Sequence, residues 1–151
     1  MTGGEARAAI TGPFGPVTLV ERDGRLVALE WQRTDGSPTP LLAEALLQLQ
    51  AYFDRRLCRF DLPLDWGTGL NAAVRQAMAE IPLGETRTYG QLAKLVGAPA
   101  QAVGQACGAN PLPILIPCHR VTGTDWFGGF SAPGGVETKA ALLRHEGALL
   151  L

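Results

Sequence analysis

Residues 88–109, TYGQLAKLVGAPAQAVGQACGA, decide how the second half of this 151-residue chain folds. Thr88 followed by Gln91 is a capping-box pair. Each side chain satisfies a backbone N–H that the first helical turn leaves without a partner, so a helix is predicted over residues 88–96. Gly97 ends it, because glycine accepts the left-handed backbone of a helix C-cap. Pro99 suits the first turn of a further helix running to about Ala109, where its missing N–H has no intrahelical partner to lose. Helix, tight glycine turn and helix make a helix-turn-helix. The second helix is unusual in composition, with Ala100, Ala102, Gly104, Ala106 and Gly108 interleaved with Gln101 and Gln105, and no charged residue occurs from Gly97 through His119. Two interior glycines each cost about 1 kcal/mol relative to alanine, so something other than helix stability selects them. Close packing against a neighbouring helix is one explanation. Close approach to a nucleic-acid groove is the other.

Upstream, Val74, Ala77, Met78 and Ile81 recur at helical spacing, which predicts a helix over 71–81 that Pro82-Leu83-Gly84 ends. Pro63 to Gly69 reads as a linker, so the chain is expected to divide into lobes 1–66 and 67–151. In the first lobe Val17–Val20 and Leu26–Leu29 flank Asp23-Gly24, a two-residue hairpin signal. Leu41, Leu42, Ala45, Leu46, Leu49, Tyr52 and Phe53 predict an amphipathic helix over 40–56 packed on that sheet. A short strand at Phe60–Leu62 is expected to close the lobe. The fold class is therefore α/β, with a small sheet-plus-helix lobe followed by a mostly helical one.

A hydrophobic content of 46% with 18% charged residues describes a soluble globular chain. No apolar run approaches the roughly 20 residues a membrane span needs, and no basic region leads into an apolar core at the N-terminus, so a cytoplasmic location and no membrane partner are expected. The net charge is −1. Residues 1–66 carry seven Lys/Arg against nine Asp/Glu and residues 67–151 six against five, so no basic footprint points to nucleic acid. Cys58, Cys107 and Cys118 are too few for a disulfide framework. With His119 and His145 they show no paired-ligand spacing, so no metal is expected.

The chemistry concentrates after the helix-turn-helix. Pro117-Cys118-His119-Arg120, preceded by Ile114-Leu115-Ile116 and followed by Val121, sets a thiol beside an imidazole at the end of a buried segment. A thiol of pKa about 8.5 becomes a useful nucleophile near neutral pH when a proton acceptor is close and solvent is held off. Around it lie Gly84–Ala93, Asn110-Pro111 with Pro113, the loop Gly129-Phe130-Ser131-Ala132-Pro133-Gly134-Gly135, Lys139, and Leu142-Leu143-Arg144-His145-Glu146-Gly147.

In this order and spacing these blocks resemble the O6-alkylguanine-DNA alkyltransferases, densely from Gly67 to Gly147 and more weakly before that. The resemblance implies an RNase H-like first lobe, a winged-helix-like second lobe, and a monomer that needs no cofactor or obligate protein partner. It flips O6-alkylguanine, chiefly O6-methylguanine, out of double-stranded DNA and transfers the alkyl group once and irreversibly to Cys118. His119 would be the base, with Glu146 polarising it across a water. Tyr89 would donate a proton or hydrogen bond to the departing guanine, and Asn110 would tie the recognition helix to the active-site segment. Thr88, Gln101, Ala102, Gly104 and Arg120 would meet DNA, and Val121, Phe130 and Ser131 would line the base pocket. Family members usually carry an arginine where this chain has Gln101, at the head of Gln101-Ala102-Val103-Gly104. Glutamine can insert and hydrogen-bond to the orphaned base, but it brings no charge toward the phosphates. Leu70-Asn71 and Arg75 also depart from the family pattern, which reads as altered packing between the lobes.

Bland readings stand beside these. Glu146 also fits a solvated helix-end carboxylate, Tyr89 a packing residue, and Asn110 a helix stop before proline. His145 reads as a surface helix residue, Cys58 and Cys107 as small hydrophobes, and Trp126 and Phe127 as hydrophobic cover or base-stacking platforms. The main functional alternative is a lesion-recognition protein with weak or absent transfer that hands damaged DNA to another pathway. A thiol hydrolase using Cys118 and His119, and a plain helix-turn-helix regulator, are more distant rivals.

Overall fold

Asp23 and Gly24 both take positive φ, 53° and 77°, the backbone that a two-residue hairpin turn requires. They join β2 (Gly15–Arg22) to β3 (Arg25–Glu30), and β1 (Ala6–Gly12) pairs on the other side of β2, giving an antiparallel sheet of order β1-β2-β3. The computed structural model describes residues 4–124, 128–130 and 132–149, and the chain divides into two units, Met1–Asp65 and Trp66–Leu151.

In the first unit the sheet carries one helix, α1 (Pro40–Phe53), opened by Thr39, whose hydroxyl accepts from the Leu42 N–H at 3.1 Å. Leu42, Ala45, Leu49, Tyr52 and Phe53 form its buried stripe, and Val17, Leu19, Leu26 and Leu29 answer from the strands. The helix stops at Phe53 rather than residue 56, with Asp54 as its cap and Arg55 at φ 59°. The strand expected at Phe60–Leu62 does not form. The Gln48 side chain takes the backbone groups of Asp61 instead, donating to its carbonyl at 3.0 Å and accepting from its N–H at 2.9 Å. A single bridge, Leu26 to Leu64, stands there, because Pro63 has no N–H with which to extend a ladder.

The second unit contains α2 (Gly69–Ala79), the two-residue strand β4 (Arg87–Thr88), α3 (Tyr89–Val96), α4 (Ala100–Gly108), a single 3-10 turn at Cys118–Arg120, β5 (Val121–Thr122) and α5 (Val136–His145). The capping box is complete: Gln91 N–H donates to the Thr88 hydroxyl at 3.1 Å and Thr88 N–H to the Gln91 side chain at 2.8 Å. Gly97 closes α3 at φ 71°. Pro99 sits one position earlier than expected, as the N-cap of α4. Helices α2, α3 and α4 pack on one another around Val74, Met78, Leu92 and Val103, and Leu112, Ile114, Ile116 and Leu142 complete the core. Parallel pairing of Arg87 with Val121 and Thr88 with Thr122 was not legible as a sheet. It ties the start of α3 to the segment that follows Cys118-His119-Arg120.

Candidate active site

The segment that delivers Cys118 is strained and clamped. Ile114 takes φ 72°, a region that a β-branched side chain enters only at a cost of about 1–3 kcal/mol. Asn110 brackets it: its Nδ2 donates to the Ile116 carbonyl at 2.9 Å, and its Oδ1 accepts from the Leu112 N–H at 3.1 Å. Pro117 then leads into the 3-10 turn, and Cys118 N–H bonds the Ile116 carbonyl at 2.7 Å. Asn110 is therefore more than a helix stop.

Cys118 is half-buried in the wall of a cavity of about 730 Å³ that Tyr89, Gln101, Gly104, Cys107, Gly108 and Phe130 also line. Burial pushes its thiol up, and a hydrogen bond from Asn110, the charge of Lys139 and its own backbone N–H act in the opposite direction. Cys107 occupies the same cavity without those hydrogen bonds, and burial together with the Cys118 charge drives it up to about 12. Two thiols thus share one cavity and differ in their support.

His119 is fully buried. Burial pushes its pKa down, against the pull of Glu146, so the ring is neutral at pH 7. Its Nε2 lies 2.6 Å from Glu146 Oε2. Burial alone would raise the Glu146 carboxyl, but the bonds from His119 and Arg120 outweigh it and hold the group at about 2. An ionised carboxylate only accepts, so Nε2 carries the imidazole proton and Nδ1 presents a lone pair. Nδ1 is buried with no hydrogen-bond partner among the described residues. The expected water between His119 and Glu146 is replaced by direct contact, and Glu146 is a buried partner, 8% exposed, not a solvated helix-end group.

Arg120, expected to meet DNA, is turned inward. Its Nε and Nη2 donate to Glu146 at 2.8 and 3.0 Å and its Nη1 to the Ile81 carbonyl at 2.7 Å, with the residue 6% exposed. A guanidinium so engaged cannot also reach a phosphate. It cancels the carboxylate charge where water is excluded, which a buried ion needs.

Of the remaining expected residues, Tyr89, Gln101, Gly104 and Phe130 line the cavity, whereas Thr88, Ala102 and Val121 do not. Tyr89 opens α3 half-buried in the wall, with burial raising its phenol so that it keeps its proton at neutral pH. Gln101 is exposed at the start of α4, with Gly104 on the cavity side. Ala102 is partly exposed and absent from the cavity lining, and Thr88 serves as the α3 cap. Val121 is fully buried, with its carbonyl accepting from Lys139, and Phe130 lines the cavity. Ser131, Trp126 and Phe127 lie outside the described residues. A Cβ on Gly104 or Gly108 would meet nothing within 4 Å, so these glycines are not there to let a neighbouring helix pack.

Lys139 has a role that its place in the sequence motif does not announce. It is fully buried, donates through Nζ to the Val121 carbonyl at 2.6 Å and the Gly129 carbonyl at 3.3 Å, and is lowered to about 8 by burial against the thiol charges of Cys118 and Cys107. The signal was available: Lys139, Leu142, Leu143 and Glu146 share one helical stripe. Gly128, at φ 83°, admits it, since a Cβ there would lie 2.7 Å from the Tyr89 hydroxyl and 3.0 Å from Lys139 Nζ.

A thiol with a clamped approach, a neutral imidazole backed by a carboxylate, and a helix-turn-helix beside them describe a protein with a reactive-thiol site on a helix-turn-helix fold. Residues 70–148 match the family described as 6-O-methylguanine DNA methyltransferase, DNA binding domain. The chain is 42% identical over 149 residues to a methylated-DNA–protein-cysteine methyltransferase of Mycobacterium bovis, covering 91% of this chain and 89% of that one. It is 40% identical to the constitutive enzyme of that name from Bacillus subtilis, over 89% and 90% of the two chains. Its fold is similar to that of Mycobacterium tuberculosis OGT solved in complex with DNA, with a TM-score of 0.82, 41% identity, and 94% and 92% of the chains covered. The chain belongs to the 6-O-methylguanine DNA methyltransferase family.

Proposed function

We propose that this chain repairs DNA by direct reversal, taking the alkyl group of an O6-alkylguanine, chiefly O6-methylguanine, irreversibly onto Cys118. The observation that carries the reading is the His119–Glu146–Arg120 network in the turn that carries the thiol: a neutral ring with Nε2 anchored and Nδ1 left as a base. Cys118 gives its proton to His119 Nδ1 across one water, and the imidazolium that forms is stabilised by Glu146. The sulfur attacks the alkyl carbon in line, the bond from that carbon to O6 breaks, and its electron pair stays on the guanine. Tyr89 meets the developing charge with its phenol proton, and the raised pKa of the group keeps that proton in place until it is needed. A thioether cannot be hydrolysed here, so each molecule acts once, with no cofactor.

The reacting atom lies on the pairing edge of a stacked base, so the nucleotide must rotate out of the duplex at a cost of a few kcal/mol. Helix α4 is the element we assign to the DNA, in the manner of a winged helix. Gln101 stands at its exposed start as the residue that fills the gap, and Thr88, Ala102 and Gly104 lie near the strand. The open space over Gly104 and Gly108 supports close approach of a backbone.

Intact mass after incubation with a duplex carrying one O6-methylguanine tests this. The expected result is a gain of one methylene per molecule that is absent in Cys118→Ala. An unchanged mass with lesion-specific binding would overturn it in favour of lesion recognition without transfer.

A further inference from the structure

Arg75 is an oddity of this chain: a guanidinium in the middle of α2, 7% exposed, in a unit whose other buried cations serve the thiol. It was read from sequence as a packing change between lobes. Its hydrogen bonds lie instead within the second unit. Nη1 donates to the Trp66 carbonyl at 3.2 Å, and Nη2 reaches the Ala109 carbonyl at 3.4 Å. The second contact is long, but it points a full positive charge at the C-cap of α4, where unpaired carbonyls gather partial negative charge. The segment Trp66-Gly67 is fitted around the same group: Gly67 stands at φ 77°, and a Cβ there would lie 2.5 Å from Arg75 Nη1.

The carbonyl that Arg75 holds is not an arbitrary one. A peptide unit is planar, so the Ala109 C=O and the Asn110 N–H turn together. Asn110 is the residue whose side chain clamps the strained turn, holding the Ile116 carbonyl that the Cys118 N–H also bonds, and its amide acts to lower the Cys118 thiol. Holding that carbonyl fixes the plane from which the Asn110 side chain departs.

We propose that Arg75 is a positioning residue for the alkyl transfer, acting through the Ala109–Asn110 peptide to keep Asn110 clamped on the turn that presents the Cys118 sulfur. The inference rests on Cys118 being the nucleophile of the proposed reaction. Cys107 on α4, Tyr89 on α3, Lys139 on α5, and His119 with Glu146 and Arg120 also face or flank the thiol, and the test changes none of them.

The test follows alkylation of Cys118 by iodoacetamide against pH, without DNA, by peptide mass, in wild type, Arg75→Met, Arg75→Lys, Asn110→Ala and Arg75→Met with Asn110→Ala. Arg75→Met is expected to move the midpoint upward by about half a pH unit, which is roughly a threefold loss of rate on the acidic limb. Arg75→Lys should recover part of the shift. In the Asn110→Ala background Arg75→Met should add nothing, since coupled residues fail to add. A wild-type midpoint in folded Arg75→Met, or a shift that adds in full to that of Asn110→Ala, overturns the proposal, because packing or bare charge would then account for Arg75. If Arg75→Met does not fold, Gly67→Ala crowds the guanidinium without removing it and should shift the midpoint the same way; an unmoved midpoint there also overturns it. Wild-type transfer from an O6-methylguanine duplex is measured alongside. Transfer with an unmoved midpoint sinks this inference alone, whereas absent transfer sinks the functional reading whatever the midpoint does.

Discussion

The residues that support Cys118 bring charge into the interior, with Glu146, Arg120 and Lys139, and the neutral imidazole of His119 between them, all 8% exposed or less. On the α4 side of the cavity, no charged residue occurs from Gly97 to Cys118, and the wall is glycine, alanine, glutamine and a second cysteine. Each kind of chemistry has its own place in the molecule. Charges that act on a thiol are strongest where water is excluded, and they survive there only when paired, as Glu146 is with Arg120. A surface that must admit a large, flat, negatively charged partner has other needs. It keeps its backbone accessible, and here it does so at the expense of helix propensity.

The largest expected effect comes from breaking the charged side. Glu146→Gln leaves the Arg120 guanidinium buried without its counter-charge, which should cost about 3–5 kcal/mol in a denaturant melt. It also removes the partner of the imidazolium, so the single-turnover transfer rate should fall at least about 100-fold. Next is pH. Glu146 is held at about 2 against 4.5 when unfolded, so its contribution is complete above pH 4.5 and is lost as pH falls toward 2. His119 is buried neutral with a pKa below 6.5, so the unfolded chain takes up the proton first and stability starts to fall below about pH 6.5. The Tm of wild type should decline along that course, and Gln101→Arg, which touches only the uncharged side, should follow the same curve.

On the uncharged side, Gln101→Arg should bind duplex more tightly and steepen the dependence of log affinity on log salt by about one, as one added phosphate contact would. Equal slopes would remove Gln101 from the interface. The smallest effect separates the two sides most cleanly. Gly104→Ala places a Cβ in open space, so it should stabilise the free protein by about 1 kcal/mol while weakening duplex binding. A destabilised Gly104→Ala would mean that the glycine serves packing after all.

The uncharged side was largely legible in the sequence. The Thr88/Gln91 capping box, the Gly97 stop and the helix that follows Pro99 depend on local backbone chemistry, and short windows report that well. Cys118, His119 and Glu146 were legible as candidates from their motif. The charged side was not legible as an arrangement, because its contacts span long separations: Arg120 reaches Ile81 across 39 residues and Glu146 across 26. Arg120 was expected at DNA from the resemblance, and its burial was readable only through partners distant in the chain. The strand expected near Phe60 failed for a similar reason, since a glutamine on α1 took the backbone groups of Asp61.

The charged side should select one of the two thiols in the shared cavity. Peptide mass mapping after reaction with a duplex carrying a single O6-methylguanine tests it most directly. Methyl on Cys118 in stoichiometric amount, with Cys107 unmodified, is the expected result; methyl on Cys107, or on neither thiol, would contradict it.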